Sequence, residues 1–335
     1  MDMTQWTKKD YMGAKSTLCT GCGHDSVTSQ LINALFKSQI DPFNVVKLSG
    51  IGCSSKTPNY FISKAQGFNS IHGRMAPLAT GVHLAHKDLR IIGISGDGDT
   101  ASIGLGSFIH MVRRNIPMVY IVENNGVYGL TKGQLSATAD EGTLAKSGEK
   151  SFLQTIDLCA LAIESGAHFV ARSFSGDSKQ LSALLSLAFR QSGMAFIDVI
   201  SPCITFANNE GSTRSYDYMK TQNEQLQELG FIQPKEEIKV DYPEGEVQEI
   251  TLHDGSIVWL KKNSHKDHDF SSRESALALL NEARGSKHHL TGLFYWDDKA
   301  PKSVTSNMTE IPLAQLGDEI RPPKSALDEI LNEFA

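Results

Sequence analysis

Two apolar segments that each end in small polar residues constrain the fold of this chain more than any other feature. The first covers residues 91–95 and is followed by Gly-Asp-Gly-Asp at 96–99, and the second covers residues 118–122 and is followed by Glu-Asn-Asn-Gly at 123–126. Between them, residues 102–114 carry apolar side chains at helical spacing. The pattern predicts a strand, a helix and a second, parallel strand, whose carboxyl ends meet at one edge of a sheet.

The polar residues after these two strands predict a site for Mg²⁺ and a diphosphate. Asp97 and Asn125 offer carboxylate and amide oxygens, which are the hard ligands that Mg²⁺ prefers, and the main-chain carbonyl of Val127 completes the predicted protein ligands. Gly96 and Gly98 allow the backbone to approach phosphate oxygens, and the helix that follows directs free N–H groups toward them. No P-loop sequence and no dinucleotide-binding glycine pattern follows the first strand, so neither a P-loop NTPase nor a nicotinamide dehydrogenase is predicted.

Composition and charge narrow the class of protein. With 335 residues, of which 40% are hydrophobic and 21% charged, the chain is long enough for one large domain or two smaller ones. A net charge of −6 without a basic cluster argues against a nucleic-acid partner. The apolar stretches are far shorter than the ~20 residues of a membrane span, and the amino terminus lacks the pattern of an export signal. We therefore expect a cytoplasmic protein with no membrane partner.

Residues 19–203 alternate strands with helices, which predicts an α/β fold with a doubly wound, mostly parallel sheet and right-handed crossovers. The predicted strands are residues 44–48, 90–95, 117–123, 168–172 and 195–200. The predicted helices are residues 26–36, 75–86, 102–114, 156–165 and 179–191.

Beyond about residue 210 this alternation ends, and we divide the chain there. Residues 1–210 form the predicted cofactor-binding domain, and residues 211–335 form an extension and arm that packs on the first domain or on a partner subunit. The predicted features outside the alternating pattern are a polar loop over the site at 126–150, a polar helix at 216–229, a hairpin of strands 246–252 and 256–261, and a proline-rich arm that ends in a helix at 324–334.

The chain has five cysteines, and four of them are placed where they can meet. Cys19 and Cys22 form a Cys-x-x-Cys pair, and Cys53 and Cys203 each follow a predicted strand, so all four thiols can gather at the same edge of the sheet. Spacing alone leaves three readings open, namely a [4Fe–4S] cluster, a zinc site or buried thiols. Cys159 lies within a predicted apolar helix and is expected in the core.

Taken together, these residues resemble the β subunit of 2-oxoacid:ferredoxin oxidoreductases, the chain of that family that binds thiamine diphosphate. The likeness covers about residues 16–215. It rests on motifs that occur in the family's order: C-T-G-C-G-H, G-I-G-C-S, I-H-G-R, G-D-G-D-T-A-S-I-G, E-N-N-G-V-Y-G-L-T-K-G-Q and S-P-C. The C-terminal third is more weakly similar to the bacterial 2-oxoglutarate-type β subunits.

The resemblance implies a fold of the thiamine-diphosphate-binding pyrophosphate-domain type and three bound groups. One [4Fe–4S] cluster is implied on Cys19, Cys22, Cys53 and Cys203, and Mg²⁺ on Asp97, Asn125 and Val127. The implied contacts to thiamine diphosphate are Ile51, Gly52, Cys53, Ser54, His72, Gly98, Asp99, Gly129 and Leu130.

The family's reaction is the oxidative decarboxylation of a 2-oxoacid with coenzyme A, which yields an acyl-CoA, CO₂ and reduced ferredoxin, or the reductive reverse. In the family the Glu that activates the thiamine pyrimidine comes from an α subunit. We therefore assign no catalytic residue to this chain with certainty and expect it to be inactive without that partner.

Three residues bear on the choice of substrate. Lys56 lies three residues after Cys53, at the position that faces the distal carboxylate in 2-oxoglutarate-using relatives. Leu130 is predicted in the same pocket wall, and Arg74 is a further candidate for binding substrate. A buried ammonium binds a dicarboxylate and disfavours pyruvate, so we expect 2-oxoglutarate as substrate and succinyl-CoA as product. The alternatives are the same chemistry on pyruvate or a branched-chain 2-oxoacid, and a non-catalytic, zinc-stabilised subunit that binds a metal and a diphosphate.

Overall fold

The computed structural model describes residues 6–131, 133–143, 148, 150–203, 236–252, 257–264, 266, 268–284, 288–299, 303 and 311–334. The predicted division of the chain at residue 210, the predicted helix at 216–229 and the tip of the predicted C-terminal hairpin lie outside these residues.

A large twisted sheet, with nine strands among the described residues, runs through the centre of the protein. The strands, including those of a separate small hairpin formed by β5 and β6, are β1 (Val45–Ser49), β2 (Gln66–Asn69), β3 (Arg90–Gly96), β4 (Met118–Asn124), β5 (Val127–Tyr128), β6 (Gln134–Leu135), β7 (Phe169–Phe174), β8 (Ala195–Ile200), β9 (Val247–Thr251), β10 (Ile257–Lys262) and β11 (His288–Trp296). In space the order is β2-β1-β3-β4-β8-β7-β11-β10-β9. From β2 to β7 all neighbours are parallel, whereas β11 is antiparallel to β7.

Helices cover both faces of the sheet, as the predicted doubly wound fold requires. They are α1 (Gly23–Ser38), α2 (Met75–Ala85), α3 (Leu105–Arg114), α4 (Leu158–Glu164), α5 (Ser178–Ala188), α6 (Arg273–Arg284) and α7 (Lys324–Glu333). Apolar residues of α1 and α5 share one buried cluster with the sheet, and those of α2, α3, α4 and α6 share the other. The central strands are buried on both faces, which explains why their sequences are continuous apolar runs. None of the helices in the described part of the chain is long and apolar enough to span a bilayer.

The predicted strands and helices of residues 19–203 are confirmed, but the helix predicted from residue 102 is wrong at its start. Gly98–Ile103 forms a π-helical turn, and α3 begins at Leu105. The N–H of Gly104 bonds to the carbonyl of Asp99 at 2.9 Å, and a Cβ added to Gly104 would lie 2.9 Å from the Cα of Gly73. The π-helical turn and the close backbone contact therefore occur together, and apolar spacing reveals neither of them.

The C-terminal strands extend the main sheet. The predicted hairpin is confirmed as β9 and β10, which pair antiparallel. It is joined to the sheet through β11, which the sequence analysis did not predict and which pairs with both β10 and β7. In the described part of the predicted loop 126–150, β5 and β6 form a two-stranded hairpin beside the site.

Candidate functional site

A cavity of about 310 Å³ opens at the carboxyl ends of β1, β3 and β4. It is lined by every residue predicted to contact thiamine diphosphate and by every predicted Mg²⁺ ligand: Ile51, Gly52, Cys53, Ser54, His72, Asp97, Gly98, Asp99, Asn125, Val127, Gly129 and Leu130. It is also lined by Gly96, which the sequence analysis placed beside the phosphates, and by five residues that it did not assign to the site: His24, Ile103, Glu123, Tyr128 and Thr131.

Asp97 and Asn125 meet in this cavity because β3 and β4 are parallel neighbours with Gly96 opposite Glu123. The main-chain N–H of Asn125 donates to Oδ1 of Asp97 at 3.2 Å. Oδ1 of Asn125 accepts from the N–H of Val127 at 3.0 Å, which leaves its second lone pair for a ligand. Burial raises the pKa of Asp97, while hydrogen bonds from Ser136, Thr138 and Asn125 oppose that shift.

Asp99 connects two of the sequence motifs. Its Oδ1 accepts the N–H of Gly73 at 2.7 Å, and its Oδ2 accepts the hydroxyl of Ser95 at 3.0 Å. The side chain is 4% exposed. The predicted thiamine contact therefore also ties the loop before α2 to the end of β3, and this explains an acidic residue at that position independently of any cofactor.

Two glycines make room for a ligand or for close packing beside it. Gly52 has φ +102°, a value that favours glycine, and a Cβ added there would meet no atom within 4 Å, so its backbone borders open space. At Gly98 an added Cβ would lie 2.5 Å from Cε1 of Tyr128, whose hydroxyl donates to the Gly98 carbonyl at 3.0 Å. The Tyr128 ring thus packs directly on the backbone of the Gly-Asp-Gly-Asp turn.

The floor of the cavity holds a buried pair of ionisable groups. Nε2 of His24 lies 3.7 Å from Oε2 of Glu123, and Thr57 Oγ1 lies 3.0 Å from each carboxyl oxygen of Glu123 and donates to that group. Burial lowers the pKa of His24 to about 4 and raises the pKa of Glu123 well above its ordinary value. Burial thus shifts both pKa values in the direction that favours the uncharged forms of the two groups.

The four cysteines predicted to act together lie around this floor. Gly23 packs against the ends of β7 and β8, where an added Cβ would collide with the hydroxyls of Ser175 and Ser201. Nδ1 of His24 is hydrogen-bonded to Oγ of Ser201 at 2.6 Å. These contacts bring the Cys-x-x-Cys turn, which immediately precedes Gly23, beside the segment that carries Cys203.

Electrostatic coupling shows the same proximity. Burial raises the pKa of Cys22, and the charges of Cys203 and Cys19 add to that shift. Burial likewise raises the pKa of Cys53 to about 11, again with contributions from Cys203 and Cys19. Cys159 is fully buried in α4, with its Sγ 3.7 Å from the carbonyl of Ala171, as expected for a core residue.

The chemical types of the candidate ligands fit the [4Fe–4S] cluster and the Mg²⁺ ion that the family resemblance implies. Within the described ranges no three Cys, His, Asp or Glu side chains are arranged to hold a single metal ion. In a [4Fe–4S] cluster each thiolate binds a different iron, so the four sulfurs need not converge on one point. A carboxylate, an amide oxygen and a main-chain carbonyl at the cavity suit Mg²⁺, which keeps several ligand positions for water and phosphate.

The residues predicted to select the substrate are less closely grouped. Leu130 lines the cavity, and 57% of its surface is exposed. Lys56 does not line the cavity, but its charge is near enough to Cys53 to lower the pKa of that thiol against the larger effect of burial. Arg74 lies outside the cavity at the start of α2, where its Nη1 donates to the carbonyl of Gly73 at 3.1 Å.

The sequence of this chain is similar to those of known proteins. A family model described as the C-terminal TPP-binding domain of thiamine pyrophosphate enzymes matches residues 50–199. Over 199 residues the chain is 43% identical to a 2-oxoacid:ferredoxin oxidoreductase β subunit of Saccharolobus solfataricus, which covers 59% of this chain and 65% of that one. Over 189 residues it is 38% identical to the 2-oxoglutarate synthase subunit KorB of Methanocaldococcus jannaschii, which covers 56% of this chain and 69% of that one.

A solved structure matches over a longer stretch. A chain of the 2-oxoglutarate:ferredoxin oxidoreductase from Magnetococcus marinus, with 2-oxoglutarate, coenzyme A and succinyl-CoA bound, superimposes with a TM-score of 0.70 at 26% identity. The superposition covers 98% of this chain and 97% of that one. The sequence match to the Saccharolobus chain spans slightly less than two thirds of that relative's own length, at 65%.

Proposed function

This chain belongs to the family of 2-oxoacid:ferredoxin oxidoreductase β subunits, and from that premise we propose that it is the thiamine-diphosphate-binding subunit of a 2-oxoglutarate:ferredoxin oxidoreductase. The proposed reaction converts 2-oxoglutarate and coenzyme A to succinyl-CoA and CO₂ and delivers electrons to ferredoxin, or runs in reverse. The observation that carries the proposal is the cavity in which Asp97 and Asn125 meet at the ends of β3 and β4.

Thiamine diphosphate, when bound, supplies the carbanion stabilisation that decarboxylation of a 2-oxoacid requires. The proposed task of this chain is to hold the diphosphate end of the cofactor. Asp97, Asn125 and the carbonyl of Val127 would bind Mg²⁺, and the backbone around Gly98 would lie against the phosphates. Leu130 and Ile103 would shield the cavity from water. The acid that activates the pyrimidine is proposed to come from an α subunit, so activity requires both chains.

Cys19, Cys22, Cys53 and Cys203 are proposed to hold one [4Fe–4S] cluster that accepts electrons one at a time. Two facts support this proposal: Cys53 lines the cavity itself, and both Cys22 and Cys53 are electrostatically coupled to the other two thiols. Cys53 would thereby connect the thiamine site to the cluster. Coordinated thiols are deprotonated, so a bound cluster would reverse the raised pKa of these cysteines.

Cys53→Ala is expected to remove most of the iron, sulfide and visible absorbance from the anaerobically purified αβ complex, because it deletes one of the proposed ligands. Cys159→Ala is the matched control, since that thiol is buried in α4, and this variant should retain the iron, the sulfide and the absorbance. Iron and acid-labile sulfide assays with an absorption spectrum give the result. A colourless wild-type complex that contains zinc would contradict the cluster and favour a zinc-stabilised binding subunit.

Lys56→Ile is expected to raise the KM for 2-oxoglutarate by up to about 5-fold, because Lys56 is half-buried outside the cavity and an ion pair of that kind contributes up to about 1 kcal/mol. Turnover of 2-oxoglutarate, pyruvate and a branched-chain 2-oxoacid by the reconstituted αβ complex measures this preference. Lys87→Ile is the control, because it removes an ammonium that precedes β3, at the end of the strand remote from the cavity. An unchanged ranking of the three substrates would remove Lys56 from the substrate site.

A further inference from the structure

A row of hydrogen bonds crosses the sheet from the interior of β7 to the Gly126 turn beside the proposed metal site. Nε of Arg172 in β7 donates to Oδ2 of Asp198 in β8 at 2.8 Å. Nδ2 of Asn124, the last residue of β4, donates to Oδ1 of the same carboxylate at 3.1 Å. The row follows the order of the sheet, in which β8 lies between β4 and β7. Asp198 is 1% exposed and therefore receives these donors away from water.

The Asp198 carboxylate determines which way the Asn124 amide faces. An ionised carboxylate only accepts hydrogen bonds, so the NH₂ group of Asn124 must point toward it. The side-chain oxygen of Asn124, Oδ1, then faces the opposite way. It accepts the N–H of Gly126 at 3.3 Å and lies 3.0 Å from Oγ1 of Thr138. The reversed amide would place its NH₂ group against the Gly126 N–H, which is a contact between two donors.

Thr138 lies between Asn124 and Asp97 but has one hydroxyl proton, so a bond to Asp97 leaves it only in contact with the Asn124 side-chain oxygen. Its hydroxyl lies 2.7 Å from Oδ2 of Asp97, and the hydroxyl of Ser136 also donates to that oxygen. The other oxygen, Oδ1, accepts only the main-chain N–H of Asn125 among the described contacts. Oδ2 therefore already has two hydroxyl partners, whereas Oδ1 keeps a lone pair for a ligand in the cavity.

We propose that Ser136 and Thr138 are positioning residues that fix the Asp97 carboxylate with Oδ1 toward a divalent cation bound with a diphosphate. Asp198 acts through Asn124 to position the Gly126 turn, which lies between the proposed ligands Asn125 and Val127. This inference rests on the proposed function, since it concerns the same Asp97 site. It assigns a role in cofactor binding to the segment after β6 and to β8, neither of which contributes a predicted Mg²⁺ ligand. Hydrogen-bond partners of a metal ligand typically contribute 10-fold to 100-fold to metal affinity.

Thr138→Val tests the proposal, because valine keeps the shape of threonine and removes the hydroxyl. In the αβ complex, the Mg²⁺ concentration that half-saturates thiamine diphosphate binding, measured by isothermal titration, should rise about 10-fold to 100-fold. Thr138→Ser, which restores the hydroxyl, should return it to within a few-fold of the wild-type value. Thr80→Val is the matched control, since that hydroxyl donates within α2 to the Ala76 carbonyl.

The outcomes separate this inference from the proposed function. If wild-type protein binds no thiamine diphosphate in the presence of Mg²⁺, the proposed function fails. If the wild type binds it and Thr138→Val binds with equal Mg²⁺ dependence, the positioning role fails while the proposed function stands. Asp198→Asn provides a second variant should Thr138→Val fail to fold: its amide should disturb the orientation of Asn124 and raise the Mg²⁺ requirement, and an unchanged requirement would overturn the proposal.

Discussion

Asp97→Asn is expected to weaken Mg²⁺-dependent binding of thiamine diphosphate by at least about 100-fold, the upper range found when only a partner of a metal ligand is lost. The substitution keeps the size of the side chain and one oxygen that can accept from Ser136 and Thr138, while its NH₂ group takes the place of the oxygen that accepts the Asn125 N–H. It removes the negative charge that Mg²⁺ requires beside a diphosphate. Isothermal titration of the cofactor at several Mg²⁺ concentrations measures the effect.

The thermal stability of the Asp97→Asn variant should not fall along with its affinity for thiamine diphosphate. Because burial raises the pKa of Asp97, the wild-type protein loses stability as pH rises through the folded-state pKa of this group, and the neutral amide escapes that loss. The apo variant should therefore unfold at or above the wild-type temperature at pH 7. Asp88→Asn, at the opposite end of β3 and exposed, should leave binding unchanged. Wild-type affinity in Asp97→Asn would show that the metal is held elsewhere.

Arg172→Leu is expected to lower the free energy of unfolding by about 3–5 kcal/mol, because it leaves buried carboxylates without their cation. The guanidinium contacts Asp157 and Asp198 at 2.8 Å each, and its side chain is 11% exposed. Denaturant unfolding at pH 7 gives the difference. Lys179→Met, which breaks an exposed pair with Asp241, is the control and should leave the midpoint almost unchanged.

The effect of Arg172→Leu should also depend on pH in a defined direction. Burial alone would raise the pKa of Asp157, but the charge of Arg172 and hydrogen bonds hold it below its ordinary value. A carboxyl with a lowered folded-state pKa stabilises the protein above its unfolded pKa, and this contribution is lost as pH falls through the folded value. The gap between variant and wild type should therefore narrow below about pH 4. A gap of constant size would mean that lost packing of the Arg172 stem causes the effect.

The strands around the site were predictable from sequence because the central strands are buried on both faces and are continuous apolar runs. β2 was missed because Gln66–Asn69 is an exposed edge strand without such a run. β11 was missed because His288 and His289 interrupt its apolar character, although its partners β7 and β10 bury much of it.

Some residues of the candidate site could likewise be predicted from the sequence, and others could not. Those that stand in motifs next to strand ends were found, since the parallel sheet dictates that strand ends meet. Ser136 and Thr138 were not, because they lie in a polar segment where the order of residues gives no sign that two hydroxyls turn back onto Asp97. Glu123 was visible within the Glu-Asn-Asn-Gly motif, but only the folded structure shows that it is buried beside His24 and that burial raises its pKa.

Because β8 lies between β4 and β7, the central sheet can be completed only after a late part of the chain has been synthesised. A ribosome adds about 5–20 residues per second, so strands synthesised early lack partners that are synthesised later. Residues 19–174 can emerge and collapse, yet β4 has no partner on its β8 side until residues 195–200 arrive. Asp198 and Cys203 emerge with that strand or just after it. Both the carboxylate that orients Asn124 and the last of the four proposed cluster thiols are therefore synthesised late, so the proposed cluster site is complete only after this central strand has been made.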